Sequence, residues 1–154
     1  MLVLERKNVL LQLDAPSKEE VIRALCGILE KNGHVSAEYC EDVLNRERQY
    51  PTGLPTEGVP VAIPHGMKTD AVISPAVAVA TLREPVAFRN MVAPDEDLPV
   101  RVVCLIANRN PEAQLKDLRQ LMSCLGSGEL LCKILESAEE QEVVRLILGY
   151  REED

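Results

Sequence analysis

The sequence predicts a single-domain α/β sandwich, in which helices cover a central sheet. Two apolar runs, residues 72–82 and 98–107, are too continuous for strands with one solvent-exposed face, so both faces should be covered. Stretches with the apolar spacing of amphipathic helices stand before and after these runs. The chain has 154 residues and is 46% hydrophobic, which suffices for one core, and we expect one domain over residues 1–154.

The first strand and the first helix are predicted from local signals. Val9–Leu13 has the composition of a strand or extended segment. Ser17 and Glu20 have the spacing of a capping box, and the apolar residues after them fall on one helical stripe. Asn32 and Gly33 follow the last apolar residue of that stripe, so the first helix should end there.

A second helix is predicted from Ser36, as its N-cap, through about Arg48. Pro51 ends it, because proline cannot continue a helix. The side chains expected to face inward are Tyr39, Val43 and Leu44. Arg46 and Glu47 would then lie in the last turn of this helix.

Three more helices are predicted after the last apolar strand. Asn110 followed by Pro111 is typical of a helix start, with proline at the first helical position. The residues of this helix expected to face the core are Leu115, Leu118, Leu121 and Met122. A short helix is predicted over 129–136, and Ser137 with Glu140 predicts the start of the last one.

The charge of the chain argues against two classes of partner. The formal net charge is -8 and the isoelectric point is near 4.9, whereas nucleic acids and anionic membranes attract basic surfaces. The amino terminus lacks the pattern of a secretory signal, and no apolar stretch approaches the roughly 20 residues that span a bilayer. We therefore expect a soluble, cytoplasmic protein that does not insert into a membrane.

The cysteine pattern predicts neither a metal site nor a disulfide framework. The five cysteines are an odd number, contain no Cys-x-x-Cys pair and have no histidine at metal-ligand spacing. Cys26, Cys124 and Cys132 fall at apolar helical positions and Cys104 lies in an apolar strand, so they are predicted to be small buried hydrophobic residues. The predicted compartment is reducing, and no cofactor is implied.

A lone histidine follows one of the shorter apolar runs. Residues 61–63 are apolar, and Pro64 ends the run because it cannot donate to a strand ladder, so His65 should be presented at the strand's end. Imidazole is a nucleophile near neutral pH, and nearby Arg46 or Arg48 would neutralise a phosphoryl group that it accepted. The local pattern also fits a surface or capping histidine, and both interpretations stay open at this point.

Several segments resemble one known family in their order and spacing. They are Arg46-Glu47, Pro51-Thr52-Gly53, Ala62-Ile63-Pro64-His65, Pro85-Val86-Ala87-Phe88 and the run from Asn110 to Arg119. Together they resemble the fructose/mannitol-type enzyme IIA components of the bacterial phosphotransferase system (PTS), and within that superfamily the galactitol-type branch. The resemblance implies the mannitol/fructose-type IIA fold, with a mixed, mostly parallel sheet flanked by helices on both faces.

The same resemblance implies that His65 is a phosphocarrier residue, the phosphohistidine nucleophile. By the family pattern it accepts a phosphoryl group from phosphorylated HPr and passes it to a cysteine of a cognate enzyme IIB. Enzyme IIB then serves a membrane enzyme IIC in the uptake of a sugar or sugar alcohol, here galactitol-like. The imidazole must be neutral to attack, with Nε2 exposed, and a backbone carbonyl on the near N–H would fix that tautomer.

Two other classes of function stay open at this stage. A PTS-linked regulatory protein, which signals the phosphorylation state of His65 to a transcription regulator or kinase, has the same requirements. A structural or adaptor protein would need an inert His65. A neighbouring gene for a membrane permease and an enzyme IIB would favour transport.

Three further residues are predicted to support the phosphoryl group. Arg46 matches a family arginine and is expected to neutralise it, with a solvated helix residue as the alternative. Thr52 is expected either to hydrogen-bond the group or to cap a turn. Gln114 stands where mannitol-type and nitrogen-type relatives carry a second histidine, and its amide donates without changing protonation. His34, the only other histidine, is expected at the surface in a turn.

Overall fold

A computed structural model describes residues 2–67 and 69–150 of the chain. Its strands are β1 (Val9–Leu13), β2 (Gly53–Leu54), β3 (Val61–Ala62), β4 (Ala76–Arg89) and β5 (Asp97–Ala107). Within the described residues they form one five-stranded sheet in the order β1-β4-β5-β3-β2. The strand predicted over residues 72–82 corresponds to β4, which begins later and ends later than predicted. The short strand β2 was not predicted from the sequence.

The sheet is mixed, as predicted, but it is not mostly parallel. β1 pairs with β4 and β3 pairs with β5 in parallel, whereas β2–β3 and β4–β5 are antiparallel. The β4–β5 pairing is the longest, running from Ala76 opposite Ala107 to Arg89 opposite Asp97. Only a short segment joins these two strands, and a short connection forms an antiparallel hairpin because a parallel pair needs a long crossover.

Helices cover both faces of this sheet. They are α1 (Lys18–Lys31), α2 (Tyr39–Gln49), α3 (Pro111–Leu125), α4 (Gly128–Glu136) and α5 (Glu140–Leu148), with short 3-10 turns at Arg6–Asn8 and Thr69–Ala71. Apolar residues of α1 and α2 pack on one face of β4, together with Ala78 and Ala80. Those of α3, α4 and α5 pack on the opposite face, together with Val77 and Val79. Successive residues of β4 thus face opposite layers of helices. This arrangement confirms the predicted α/β sandwich and explains why the apolar strands are continuous.

Local capping signals were right for two helices and wrong for two. Ser17 accepts a hydrogen bond from the backbone N–H of Glu20, and Asn110 caps α3 ahead of Pro111. In contrast, α2 begins at Tyr39, after Ser36. The hydroxyl of Ser137 donates to a backbone carbonyl of α4, so this residue ends α4 and does not cap α5.

Three apolar residues predicted to be buried are exposed. Leu115 and Met122 are 47% and 38% exposed, although both were expected to face the core, and Cys132 is exposed on α4. The buried stripe of α3 is narrower than its apolar pattern, because Leu121, Cys124 and Leu125 fill it. An apolar residue beside a stripe faces the core only if another element covers it, which sequence spacing does not show.

His34 lies in the turn after α1, as predicted, but it is a buried structural residue, and the predicted surface position was wrong. Its Nε2 lies 3.3 Å from the Asn8 side-chain nitrogen, and its Nδ1 lies 3.0 Å from the Ser74 hydroxyl. The Asn8 oxygen already accepts from Asn32, so its amide N–H faces the ring and Nε2 must accept. Burial lowers the pKa of His34, which agrees with a neutral ring.

No helix within residues 2–67 and 69–150 has both the length and the apolar character that crossing a membrane requires.

Gly53 should tolerate no side chain, because β2 passes close to the end of β4. A Cβ at position 53 would overlap the backbone carbonyl of Arg89, which neither strand can move easily. We expect Gly53→Ala to lower the free energy of unfolding by about 1–3 kcal/mol. Gly27→Ala is the matched control, since a Cβ there meets nothing within 4 Å and should add about 0.5–1 kcal/mol of helix stability. Urea unfolding of both variants tests the contrast, and equal stabilities would contradict it.

Candidate active site

The backbone of His65 is held at the end of the sheet. β3 ends at Ala62, and Pro64 follows before the histidine, which forms a parallel bridge with Ile106 of β5. The backbone N–H of Ile106 donates to the Pro64 carbonyl, and the Tyr39 hydroxyl donates to the Ile106 carbonyl. The histidine is therefore positioned by two elements that are distant in sequence, β5 and α2.

The ring of His65 is fixed in one neutral tautomer. Its Nδ1 lies 2.9 Å from the Ile63 carbonyl oxygen. A carbonyl can only accept, so Nδ1 carries the proton and Nε2 keeps its lone pair. Burial lowers the pKa of His65; the bond to Ile63 opposes this shift and the Arg46 charge adds to it. The residue is 8% exposed, and its neutral ring has one nucleophilic nitrogen.

Gly66 allows α2 to pack against the backbone that follows the histidine. A Cβ on Gly66 would overlap an Asp42 carboxylate oxygen and would lie 3.2 Å from the Tyr39 ring. Any larger residue would push this segment away from α2. The Pro-His-Gly sequence is thus adapted to the helix that packs beside it.

A cavity of about 370 Å³ brings three of the four predicted site residues together. Arg46, Thr52 and His65 all line it. The other lining residues are mostly apolar, namely Gln49, Tyr50, Pro51, Ile63, Met91, Pro94, Leu118 and Met122. A few polar side chains in a mostly apolar lining are typical of ligand-binding and active-site pockets.

Arg46 supplies the positive charge of this cavity. It lies in the C-terminal half of α2, and its guanidinium stands 5.5 Å from the centre of the Tyr50 ring, a cation–π distance. Its Nη1 lies 3.4 Å from the Tyr50 carbonyl oxygen, a weak bond that leaves most of its N–H groups uncommitted. Burial lowers the pKa of Arg46, and its charge is felt by His65.

Thr52 is committed to Glu47, a residue for which the sequence predicted no role. The Thr52 hydroxyl donates to one carboxylate oxygen at 2.7 Å, and its backbone N–H donates to the other at 2.8 Å. The Thr52 carbonyl accepts from the Ile63 N–H at 3.4 Å, and the Ile63 carbonyl accepts from His65. Glu47 thus anchors a chain of hydrogen bonds that ends at the imidazole.

The burial of Glu47 is the unusual feature of this chain of bonds. Its side chain is 3% exposed, and burial raises the pKa of its carboxyl, while the two bonds from Thr52 and the Arg46 charge lower it. Its position next to Arg46 in the sequence was a signal that Glu47 lies near the site. Only the fold shows that the Glu47 side of the helix is buried. Glu47 acts on the site through Thr52 and is a positioning residue.

Gln114 lies outside the cavity. It belongs to the N-terminal part of α3, where its backbone N–H donates to the Asn110 carbonyl. Leu118 and Met122, which are one and two helical turns further along the same face, do line the cavity. Gln114 therefore lies at the margin of the site, one helical turn from the nearest residue of α3 that lines the cavity.

A second, larger cleft of about 590 Å³ has the opposite character. Its lining includes the carboxylates Glu38, Glu41, Asp42 and Asp70. A phosphoryl group is anionic, so this cleft would repel it. Within residues 2–67 and 69–150, no three side chains of the metal-ligating types come together in a group that would hold an ion.

Replacing Glu47 with glutamine should destabilise the domain. The amide nitrogen of the new side chain would face one of the two Thr52 donors, which leaves a buried donor without an acceptor. We expect Glu47→Gln to lower the free energy of unfolding by about 1–3 kcal/mol, measured by urea denaturation. Glu41→Gln, on the same helix but exposed, should change it by about 0.5 kcal/mol or less. Similar losses in the two variants would show that the Thr52 bonds contribute nothing.

A family model and several relatives match the chain. The model described as phosphoenolpyruvate-dependent sugar phosphotransferase system, EIIA 2, matches residues 2–150. The mannitol-specific EIICBA component of Escherichia coli K12 is 32% identical over 93% of the chain, which spans 22% of that relative's length. The mannitol-specific phosphotransferase enzyme IIA component of Bacillus subtilis is 28% identical over 100% of the chain and 94% of the relative.

Solved structures from this group have the same fold. The crystal structure of IIA mannitol from Escherichia coli superposes with a TM-score of 0.79 at 30% identity and covers 93% of this chain and 97% of that one. The complex of enzyme IIAMTL and phosphorylated enzyme IIBMTL from the same organism gives a TM-score of 0.82 at 29% identity, with coverage of 97% and 100%. Because the family model spans residues 2–150, the chain belongs to the EIIA 2 family of the phosphoenolpyruvate-dependent sugar phosphotransferase system.

Proposed function

We propose that this protein is a phosphocarrier that accepts a phosphoryl group from phosphorylated HPr on Nε2 of His65 and passes it to a cysteine of an enzyme IIB. The observation that supports this role best is the hydrogen bond from Nδ1 to the Ile63 carbonyl. It leaves Nε2 as the nucleophile in a cavity that also contains the Arg46 guanidinium.

In the first half-reaction, the Nε2 lone pair attacks phosphorus and the P–N bond of the donor phosphohistidine breaks. The electron pair of that bond returns to the donor nitrogen. His65 gains positive character as Nε2 is phosphorylated, and the bond from Nδ1–H to Ile63 strengthens with it. Arg46 balances the negative oxygens of the group during transfer, which is an electrostatic role.

In the second half-reaction, the acceptor thiolate attacks phosphorus and the Nε2–P bond breaks. Its electron pair returns to Nε2, which restores the neutral ring with its proton still on Nδ1. Thr52 supports both steps through its backbone carbonyl, which accepts from the Ile63 N–H and so holds Ile63 in place. The Thr52 hydroxyl has no direct part, because it already donates to Glu47. No cofactor or metal enters either step.

Exposed apolar side chains around the cavity favour protein partners over a small-molecule substrate. Tyr50, Met91 and Met122 line it and are 57%, 38% and 38% exposed, and Val92 and Leu115 add to this surface. Aromatic residues and methionine are enriched in protein–protein interfaces. A shallow apolar rim around a reactive nitrogen suits docking of HPr and enzyme IIB in turn.

The identity of the sugar is not determined by the site around His65. A galactitol-like substrate was predicted from the sequence, but the relatives are named for mannitol and for 2-O-alpha-mannosyl-D-glycerate. A carrier of this kind hands its phosphoryl group to enzyme IIB, so the cavity around His65 has no sugar to recognise. A role in sugar transport, in the cytoplasm and together with a membrane enzyme IIC, is proposed in preference to the regulatory alternative.

Reconstitution with enzyme I, HPr and radiolabelled phosphoenolpyruvate tests the function. The wild-type chain should gain one phosphoryl group that is acid-labile and base-stable, because protonation of the phosphoramidate nitrogen makes it a leaving group. Trypsin separates the two histidines, and the label should map to residues 49–68 and not to 32–46. Absence of labelling, or labelling of His34, would refute the proposal.

The marginal position of Gln114 leads to a graded prediction. Gln114→Ala should slow transfer only slightly, whereas Gln114→Glu should be slower by roughly a further factor of a few, because a carboxylate at the margin repels the phosphoryl group. Gln120→Glu, which is exposed on the same helix, is the charge-matched control and should match the wild type. Stopped-flow phosphoryl transfer from HPr measures all three. Equal rates for the alanine and glutamate variants would remove Gln114 from the site.

A further inference from the structure

Two cysteines from neighbouring helices line one cavity, which is separate from the cavity that contains His65. Cys26, in the middle of α1, and Cys40, in the first turn of α2, line the same cavity of about 190 Å³. Cys26 is 3% exposed and Cys40 is partly exposed, so the pair is reachable from one side. A thiol–thiol interaction between them is the largest cause of the pKa shifts of both residues.

The surroundings make the two thiols chemically different. The neighbouring Cys40 thiol and burial raise the pKa of Cys26 well above its ordinary value. The neighbouring Cys26 thiol lowers the pKa of Cys40 to about 7 against the opposing effect of burial, and the Arg23 guanidinium lowers it further. Arg23 lines the same cavity and pairs with Glu41 at 3.6 Å. The first turn of α2 also favours a thiolate through the helix dipole.

We propose that Cys26 and Cys40 form a dithiol site that hydroperoxides oxidise to an intramolecular disulfide joining α1 to α2. The Cys40 thiolate attacks one oxygen of hydrogen peroxide, the O–O bond breaks, and the departing hydroxide takes up a proton to leave as water. The Cys26 sulfur then attacks the sulfur of the Cys40 sulfenic acid and the S–O bond breaks. The leaving hydroxide takes the Cys26 thiol proton and departs as a second water. The two thiols supply the two electrons that reduce the peroxide.

The remaining cysteines lack this combination of features. Cys104 and Cys124 are buried, and burial raises the pKa of both thiols, so they offer little thiolate to an oxidant. Cys132 is exposed on α4 but does not line the cavity that holds the pair. It therefore serves as an internal reference for nonspecific oxidation.

Peptide mapping of the folded wild-type chain tests the site. After treatment with a slight molar excess of hydrogen peroxide, free thiols are blocked by alkylation. Two of the five cysteines should then remain unalkylated. Trypsin should release residues 24–31 linked to residues 32–46, and dithiothreitol should separate them. Cys132→Ser should give the same linked pair, and Cys26→Ser should leave Cys40 as a sulfenic acid that dimedone labels.

Two outcomes would overturn the proposal. One is alkylation of both Cys26 and Cys40 in the wild type after Cys132 has been oxidised. The other is oxidation of Cys40 to the sulfinic acid while Cys26 stays free, which would show that the two sulfurs do not meet. The wild-type map decides in either case, so the result does not depend on whether the serine variants fold.

Discussion

Replacing His65 with alanine should abolish phosphorylation by HPr, to below detection in the reconstituted assay. Nε2 of His65 is the nucleophile in the proposed mechanism, and neither Arg46 nor Thr52 offers a second one in the cavity. His65→Gln should be equally inactive, although its amide retains a donor for the Ile63 carbonyl. Loss in both variants would assign the effect to the missing nucleophile and not to a displaced loop.

Each His65 variant needs a check that the fold is intact. Both should keep the circular dichroism spectrum of the wild type and a similar unfolding midpoint in urea. The buried His34, whose ring is hydrogen-bonded on both nitrogens, remains present in each variant as the only other histidine. Labelling of either variant at the wild-type rate would refute the assignment of His65.

Replacing Arg46 with glutamine should slow transfer by about tenfold to a hundredfold. Loss of a hydrogen bond to a charged group costs about 1.5–3 kcal/mol, and each 1.36 kcal/mol is a factor of ten in rate. The transfer rate of Arg46→Lys should fall between those of the wild type and Arg46→Gln, since lysine keeps the charge but lacks the planar guanidinium group. Arg48→Gln is the matched control, because this exposed arginine of the same helix bonds to Asn45 and does not line the cavity.

The same substitution should shift the pH dependence of transfer. The positive charge of Arg46 is one cause of the lowered pKa of His65, so removing it should raise that pKa. Because a protonated Nε2 cannot attack, activity should be lost at a higher pH in Arg46→Gln than in the wild type, on the acid side of neutrality. An NMR titration of the His65 ring measures the shift independently. An unchanged rate and an unchanged titration would place Arg46 on a solvated face.

Local signals in the sequence predicted most of the elements. The capping residues Ser17 and Asn110 were identified correctly because an N-cap bond joins a side chain to the backbone two or three residues ahead. The same signal failed at Ser36 and Ser137, where the serine lies in a connection between two helices. The Ser137 hydroxyl, for example, donates to the Lys133 carbonyl of the preceding helix.

The burial pattern depended on information that lies outside any local window. The exposure of Leu115 and Met122 follows from which elements pack together. Cys40 illustrates the same limit. A thiol at an amphipathic helix start has no visible partner in the sequence, because Cys26 comes near it only when α1 and α2 pack.

For the site, the sequence by itself determined the chemistry that the chain carries: a histidine presented after Pro64 and an arginine near the end of a helix, in the spacing of the enzyme IIA family. Only the tertiary structure decided how those groups are arranged. It fixed the tautomer of His65 through the Ile63 carbonyl, committed Thr52 to the buried Glu47, and left Gln114 at the margin. The physical reason is that residue type and spacing are properties of the chain. Burial, hydrogen-bond partners and pKa shifts arise from groups far apart in sequence that folding brings within a few ångströms.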